Sequence, residues 1–218
     1  MSATFGIGAA LALLTPGRPL VIVDADEVVL RFAGGFDRFL RRQDLFLDLT
    51  SYRLHGNVKR TSDRTPVLDV EVTALLEEFR RDLDGLEAVD GARETLAALG
   101  GEAGIVVLTN ITPEQGAARA RNLKALGFDF PLVANNGPKG PAVRQLANHA
   151  AATAFFIDDI PQQLASAAEC APDVMRIHLV GDDRLKGLLA PSSHANFYAK
   201  DWAAAGAYIL ELIKKARV

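Results

Sequence analysis

An uninterrupted apolar run, Leu20-Val21-Ile22-Val23, ends in Asp24-Ala25-Asp26. A run without polar alternation reads as a strand buried on both faces, and such strands belong to parallel sheets covered by helices. Open α/β sheets bind ligands at the carboxyl ends of their strands. Two carboxylates at that edge stand at the boundary of the core, where charge is costly unless it is paired. A divalent cation is a fitting partner for them.

The chain beyond residue 90 repeats the pattern. Ile105–Leu108 is a buried strand ending in Thr109-Asn110, Phe130–Val133 a short strand, Thr153–Ile157 a buried strand ending in Asp158-Asp159, and Val174–Val180 a further strand. Helices are expected over Ala92–Leu99, Pro113 to about Leu126, Pro141–Ala150, Pro161–Glu169 and Trp202–Ala216, the last burying Trp202, Ile209, Leu210 and Ile213. Pro113 suits a helix start, and Gly127 a helix stop. The fold class is therefore α/β: a Rossmann-like parallel sheet with helices on both faces, joined by right-handed crossovers. In such a sheet the strand ends carrying Asp24 and Asp26, Thr109 and Asn110, and Asp158 and Asp159 share one edge. Lys139, just before a helix, joins them.

Residues 33–87 differ. Phe36, Phe39, Leu40, Leu45, Phe46 and Leu47, with Arg38, Arg41 and Arg42 between them, suit an amphipathic helix. Ser51–Arg64 is polar and reads as a loop, and a second helix runs near Val70–Leu83. No strand pattern stands out here. The segment is expected to be a small helical cap inserted after the first strand, with residues 1–32 and 88–218 forming the α/β core.

The chain has 218 residues, 49% of them hydrophobic, enough for one medium domain or a core with a small insertion. A formal net charge of −3 provides no basic face and disfavours nucleic acid as a partner. The single cysteine, Cys170, excludes an internal disulfide and a multi-cysteine metal site. It reads as a small core residue and fits a reducing cytoplasm. Phe5–Leu14 is mildly apolar, lacks a preceding Lys or Arg, and is too short to span a bilayer. It is read as a docked N-terminal helix or extension rather than a signal peptide, and no membrane segment is expected. His149, His178 and His194 read as surface, structural and loop residues, without zinc-ligand spacing. Gly6-Ile7-Gly8 precedes no strand–turn–helix unit and is not a dinucleotide fingerprint, and there is no Walker loop. His55 and Lys59, with Arg53, Arg60 and Arg64, read equally as an anion-binding part of the cap and as a solvated basic loop.

The ordered set Asp24-Ala25-Asp26, Thr109, Lys139 and Asp158-Asp159 resembles the haloacid dehalogenase-like superfamily, in its phosphatase branch. The resemblance covers roughly residues 18–32 and 88–182. Each motif alone is commonplace; the four in order, three at expected strand ends and one at a helix start, are specific. Two positions depart from it. Glu27-Val28 stands where many members have Gly-Thr or Gly-Val, and Asp158-Asp159 precedes Ile160-Pro161 in place of the common Gly-Asp.

The resemblance implies phosphoryl transfer through an aspartyl-phosphate, with Asp24 as nucleophile and Asp26 as general acid and base. An Asp at the second position favours phosphate over haloacid substrates. Mg²⁺ is the implied cofactor, held by the Asp24 carboxylate, the Asp26 backbone carbonyl and either Asp158 or Asp159, of which Asp159 aligns better with the Gly-Asp form. Thr109, helped by Asn110, would bind a phosphoryl oxygen, and Lys139 would supply fixed positive charge. The implied protein is a Mg²⁺-dependent hydrolase of a small phosphorylated metabolite. The same phospho-Asp chemistry serves phosphotransferases and mutases, and a non-catalytic binding protein retaining the fold is a third reading.

Overall fold

The computed structural model of the protein describes residues 5–81 and 83–216. Its elements begin with α1 (Ile7–Leu11), β1 (Leu20–Val23), α2 (Phe32–Arg41), β2 (Leu45–Leu47), β3 (Val58–Arg60) and α3 (Asp69–Phe79). They continue with α4 (Ala92–Glu102), β4 (Gly104–Asn110), α5 (Pro113–Ala125), β5 (Leu132–Asn135), α6 (Gly140–Ala150) and β6 (Ala154–Asp158). The last are α7 (Pro161–Cys170), β7 (Met175–Leu179), α8 (Asp183–Lys186), β8 (Phe197–Ala199) and α9 (Trp202–Lys215).

Six strands form one parallel sheet in the order β5-β4-β1-β6-β7-β8. The central place of β1 explains its unbroken apolar sequence. Val21 and Val23 face one core with Val107, Phe155, Ile157 and Trp202, while Leu20 and Ile22 face the other with Val106, Phe156 and Leu146. Alternate side chains point to opposite faces, and both faces are covered. Each fully buried aliphatic contributes roughly 1.5–3 kcal/mol. That is enough for β1 to hold charged neighbours at its end. Val23 stands opposite Val107 and Ile157, and the Asp24 N–H donates to the Ile157 carbonyl at 3.0 Å. Asp24 and Asp158 therefore leave the sheet side by side.

The chain crosses between the sheet and residues 33–87 twice, and the two crossings are tied together. Arg31 N donates to Glu87 O at 2.9 Å and Val89 N to Val29 O at 2.8 Å, around an antiparallel bridge between Leu30 and Ala88. Beyond them α2 packs on α3 through Phe79, whose ring lies 5.2 Å from Phe32, 5.4 Å from Phe36 and 5.5 Å from Phe39.

The segment is not helical throughout. Leu45–Leu47, expected within the amphipathic helix, forms an antiparallel pair with Val58–Arg60, with Leu45 opposite Arg60 and Leu47 opposite Val58. Helix α2 stops at Arg41, Asp44 takes a left-handed backbone at φ 56°, and the Leu47 N–H is claimed by the Asp37 carboxylate at 2.8 Å. Leu45 and Leu47 then point inward with the period of a strand. Helix α3 ends at Phe79, short of the expected Leu83, and residue 82 of that expectation lies outside the described residues, as do 1–4 and 217–218 of the expected core. Strand β5 starts at Leu132 rather than Phe130, because Pro131 has no N–H for a ladder; its carbonyl accepts from Val107 N at 2.8 Å. Strand β8 was not expected from the sequence. Cys170 is half-buried at the end of α7 rather than in the core. Among the described residues no helix is long and apolar enough to cross a membrane.

Helices α6 and α7 meet at Gly140, where an added Cβ would lie 2.1 Å from the Ser166 carbonyl oxygen. Backbone cannot yield as a side chain can. Gly140→Ala is expected to lower stability by about 1–3 kcal/mol in chemical denaturation, and a stability equal to wild type would show that the two helices separate freely.

Candidate active site

Two neighbouring strand ends bring their carboxylates to one lysine. The Lys139 Nζ lies 2.7 Å from Asp24 Oδ1 and 2.7 Å from Asp158 Oδ2, and all three residues are buried. Burial works against the lysine's charge, but Asp158 and Asp24 together outweigh it and hold its pKa above the ordinary value. Burial raises the Asp24 pKa, with Lys139 opposing it. The lysine is placed by its backbone: Lys139 N donates to Gln163 Oε1 at 2.8 Å, and Gly140 N to Ser166 Oγ at 3.1 Å. A lysine that reads as a loop residue is thus pinned by α7 from below and enclosed.

Asp159 sits beside them. One carboxylate oxygen each from Asp24, Asp158 and Asp159 lies within 4.8 Å of the others. Both Asp158 oxygens are engaged, Oδ2 by Lys139 and Oδ1 by Ile160 N at 2.9 Å. Asp159 Oδ2 accepts from the Tyr52 hydroxyl, while Asp159 Oδ1 is buried with no hydrogen-bond partner among the described residues. Burial, then Asp158 and Asp24, push the Asp159 pKa well above its ordinary value. An orphaned buried oxygen in an all-carboxylate cluster fits a hard, oxygen-seeking cation such as Mg²⁺.

Asp26 lines a cavity of about 250 Å³ that Asp24 and Asp159 also line. Its carboxylate is gripped from α5 by Arg119, with Nη1 2.6 Å from Oδ1 and Nη2 3.0 Å from Oδ2. Burial raises the Asp26 pKa and Arg119 opposes the shift. Phe32, Leu49, Leu54 and Leu185 give the cavity apolar walls, and Arg53 and Arg80 reach its rim.

Thr109 is buried at the end of β4, next to β1. Asn110 turns its side chain to the loop before Lys139: its Nδ2 donates to Gly137 O at 3.0 Å and its Oδ1 accepts from Asn135 at 2.7 Å. Of the basic residues between 53 and 64, Lys59 and Arg64 pair with Asp48 and Arg60 pairs with Glu71, while His55 bonds Thr73. Only Arg53 of that group lines the cavity. His178 is structural but close to the site. Its Nδ1 accepts from Ser192 N at 3.0 Å, so Nε2 carries the proton and donates to the Asp159 carbonyl at 2.9 Å. Burial lowers its pKa, in keeping with a neutral ring.

Three residues escaped the sequence reading. Tyr52 lies in the polar loop without local pattern. Arg119 sits 93 positions from its partner. Glu27 was noted only as a departure from the family pattern. Its backbone takes the left-handed region at φ 58°, where glycine is unstrained and other residues carry about 1–2 kcal/mol of strain. Its Oε1 accepts from Ala33 N at 2.5 Å and so caps α2, which offsets the strain.

The sequence matches no protein-family model and no curated protein. Solved structures do match. A haloacid dehalogenase family hydrolase from Deinococcus radiodurans R1, with bound phosphate and sodium, is 18% identical with a TM-score of 0.64, over 90% of this chain and 97% of that one. A subfamily IA hydrolase from Geobacter sulfurreducens PCA is 18% identical with a TM-score of 0.56, over 92% and 98%. A predicted phosphoglycolate phosphatase from Haemophilus somnus 129pt is 14% identical with a TM-score of 0.57, over 91% and 99%. The chain has the fold of the haloacid dehalogenase-like hydrolases, the superfamily that its motifs resemble.

The Glu27 carboxyl gives a pH signature. Burial raises its pKa from 4.5 to about 8. Between those values the folded state holds a proton that the unfolded state releases, so folding stability falls as pH rises from about 4.5 to 8. Glu27→Gln keeps an oxygen for Ala33 and removes the titration. Its unfolding free energy is expected to fall less steeply over that range, by on the order of a few kcal/mol; parallel profiles would refute the assignment.

Proposed function

We propose that the protein is a Mg²⁺-dependent phosphatase that hydrolyses a small phosphomonoester through a phosphorylated Asp24. The observation that carries this reading is the Lys139 ammonium set between Asp24 and Asp158, with the free Asp159 oxygen beside it and Asp26 facing the cavity. A merely structural ion pair needs one carboxylate. Two on one ammonium, with a third carboxylate beside them and a cavity at hand, suit an anion-transfer site. Residues 33–87 are proposed as the cap and 1–32 with 88–218 as the core. The cavity between them is of a size for a small metabolite, and Arg53 and Arg80 provide positive charge at its rim. The Deinococcus protein is described with bound phosphate and sodium, in keeping with a fold that takes an anion and a hard cation. A single cysteine suits the cytoplasm as the setting.

In the first half-reaction an Asp24 oxygen attacks phosphorus. The bond from phosphorus to the leaving oxygen breaks, its electron pair stays on that oxygen, and Asp26 supplies the proton. In the second, water attacks phosphorus while Asp26 takes its proton, and the bond to Asp24 breaks to restore the carboxylate. Lys139 and Thr109 stabilise the phosphoryl oxygens, with Asn110 holding the loop that carries Lys139. The Asp24 carboxylate, the Asp26 carbonyl and Asp159 would hold the metal; Asp158, with both oxygens engaged, orients Lys139 instead. Bound Mg²⁺ supplies charge stabilisation that lets an anionic nucleophile meet an anionic phosphate.

Hydrolysis of an aryl phosphate tests the reading. Turnover is expected with Mg²⁺, and it should disappear in EDTA and in Asp24→Asn. Asp24→Asn with wild-type activity would remove the nucleophile and the proposal with it. Lys139→Met is expected to retain metal-dependent but strongly reduced turnover, by about 10²–10³-fold.

A further inference from the structure

We propose that Arg119 is a positioning residue for the reaction, holding the Asp26 carboxylate in the orientation from which it gives its proton to the leaving oxygen. The inference rests on the phosphatase reading above. Asp26 follows the end of β1, and its side chain reaches into the cavity. Among the described residues, Arg119 alone donates hydrogen bonds to that side chain. It does so through Nη2, 3.0 Å from Oδ2, while Nη1 stands in ion-pair contact with Oδ1 at 2.6 Å. A planar guanidinium meeting a carboxylate in this way fixes the plane of the carboxylate as well as its distance, which a lysine cannot do.

Stability alone does not account for the pair. The Arg119 side chain is 1% exposed, and that of Asp26 is 30% exposed. Enclosing a guanidinium costs several kcal/mol, and a well-packed apolar residue commonly serves stability as well as or better than a buried ion pair. What the arginine adds is direction, and the direction is held by the helix that carries it. One turn further along α5, Asn122 Nδ2 donates to the carbonyls of Leu86 at 3.1 Å and Asp84 at 3.3 Å. This helix face therefore bonds both to the acid and to the segment returning from residues 33–87. Asp26 keeps its aim relative to the cavity because the two are braced by the same helix.

The consequence is a dependence on the leaving group. An aryl oxide departs without a proton, whereas an alkoxide needs one as its bond to phosphorus breaks. The value of kcat/KM reports the steps through formation of the phospho-Asp24, where that proton is given. The experiment compares ethyl phosphate with 4-nitrophenyl phosphate on the Mg²⁺-loaded full-length protein, for wild type, Arg119→Met and Arg119→Lys. Arg119→Met is expected to lose about 10–10²-fold on ethyl phosphate, a part of what general acid catalysis contributes, and less than about threefold on the aryl ester. Arg119→Lys, which restores one donor and keeps the buried charge, should recover part of the loss and carries the measurement if the methionine variant does not fold. Equal losses on both esters, or no loss on either, would mean that Arg119 is structural and would overturn the proposal. If wild type hydrolyses neither ester in an Asp24-dependent manner, it is the phosphatase reading that fails, and the role of Arg119 fails with it.

Discussion

One ammonium group holds the carboxyl edge of the sheet together. Lys139 stands 2.7 Å from carboxylates at the ends of two neighbouring strands, both of which belong to the hydrophobic centre of the sheet. Without it Asp24 and Asp158 would face each other as buried like charges. At an effective dielectric of 20, two unit charges 4 Å apart repel by about 4 kcal/mol, a large part of the stability of a typical domain. The requirement spreads outward. The lysine must arrive at a fixed point, so its loop is tied to α7 and α6 must approach α7 where Gly140 permits it.

The sheet could be read from the sequence because its strands obey a simple physical rule. Strands β1, β4 and β6 are covered on both faces, so their residues are apolar without interruption and the polar groups mark where they stop. That rule fails for short strands. Leu45–Leu47 and Phe197–Ala199 have three residues each, and three residues do not distinguish a period of 2 from one of 3.6. Asp24, Lys139 and Asp158 became legible through their order along the chain, since each alone has an ordinary structural reading. Arg119 was not legible at all. No local pattern in α5 marks which of its arginines faces inward, and only the tertiary fold brings Arg119 to its acid.

The cavity differs in character from the edge beneath it. The edge is charge compensated by charge, whereas the walls above are leucine and phenylalanine with arginines at the rim. Tyr52 spans the two, on the loop after β2 and bonded to Asp159. Its own pKa is pushed up by burial and by that neighbour, so it acts as a donor. The segment 33–87 and the parallel sheet thus meet at one carboxylate, which gives that segment a fixed reference point on the sheet edge.

The outer strand β5 is closed by something outside the sheet. The Phe5 carbonyl accepts from Ala134 N at 2.9 Å, and its ring fills the space over Gly116, where an added Cβ would stand 2.2 Å from it. An exposed row of unpaired amides is a template on which other chains add strands. Phe5 occupies part of that template and wedges itself against α5. Phe5, two residues ahead of the first helix, therefore covers the edge of the sheet at its carboxyl end, where Ala134 stands opposite Thr109.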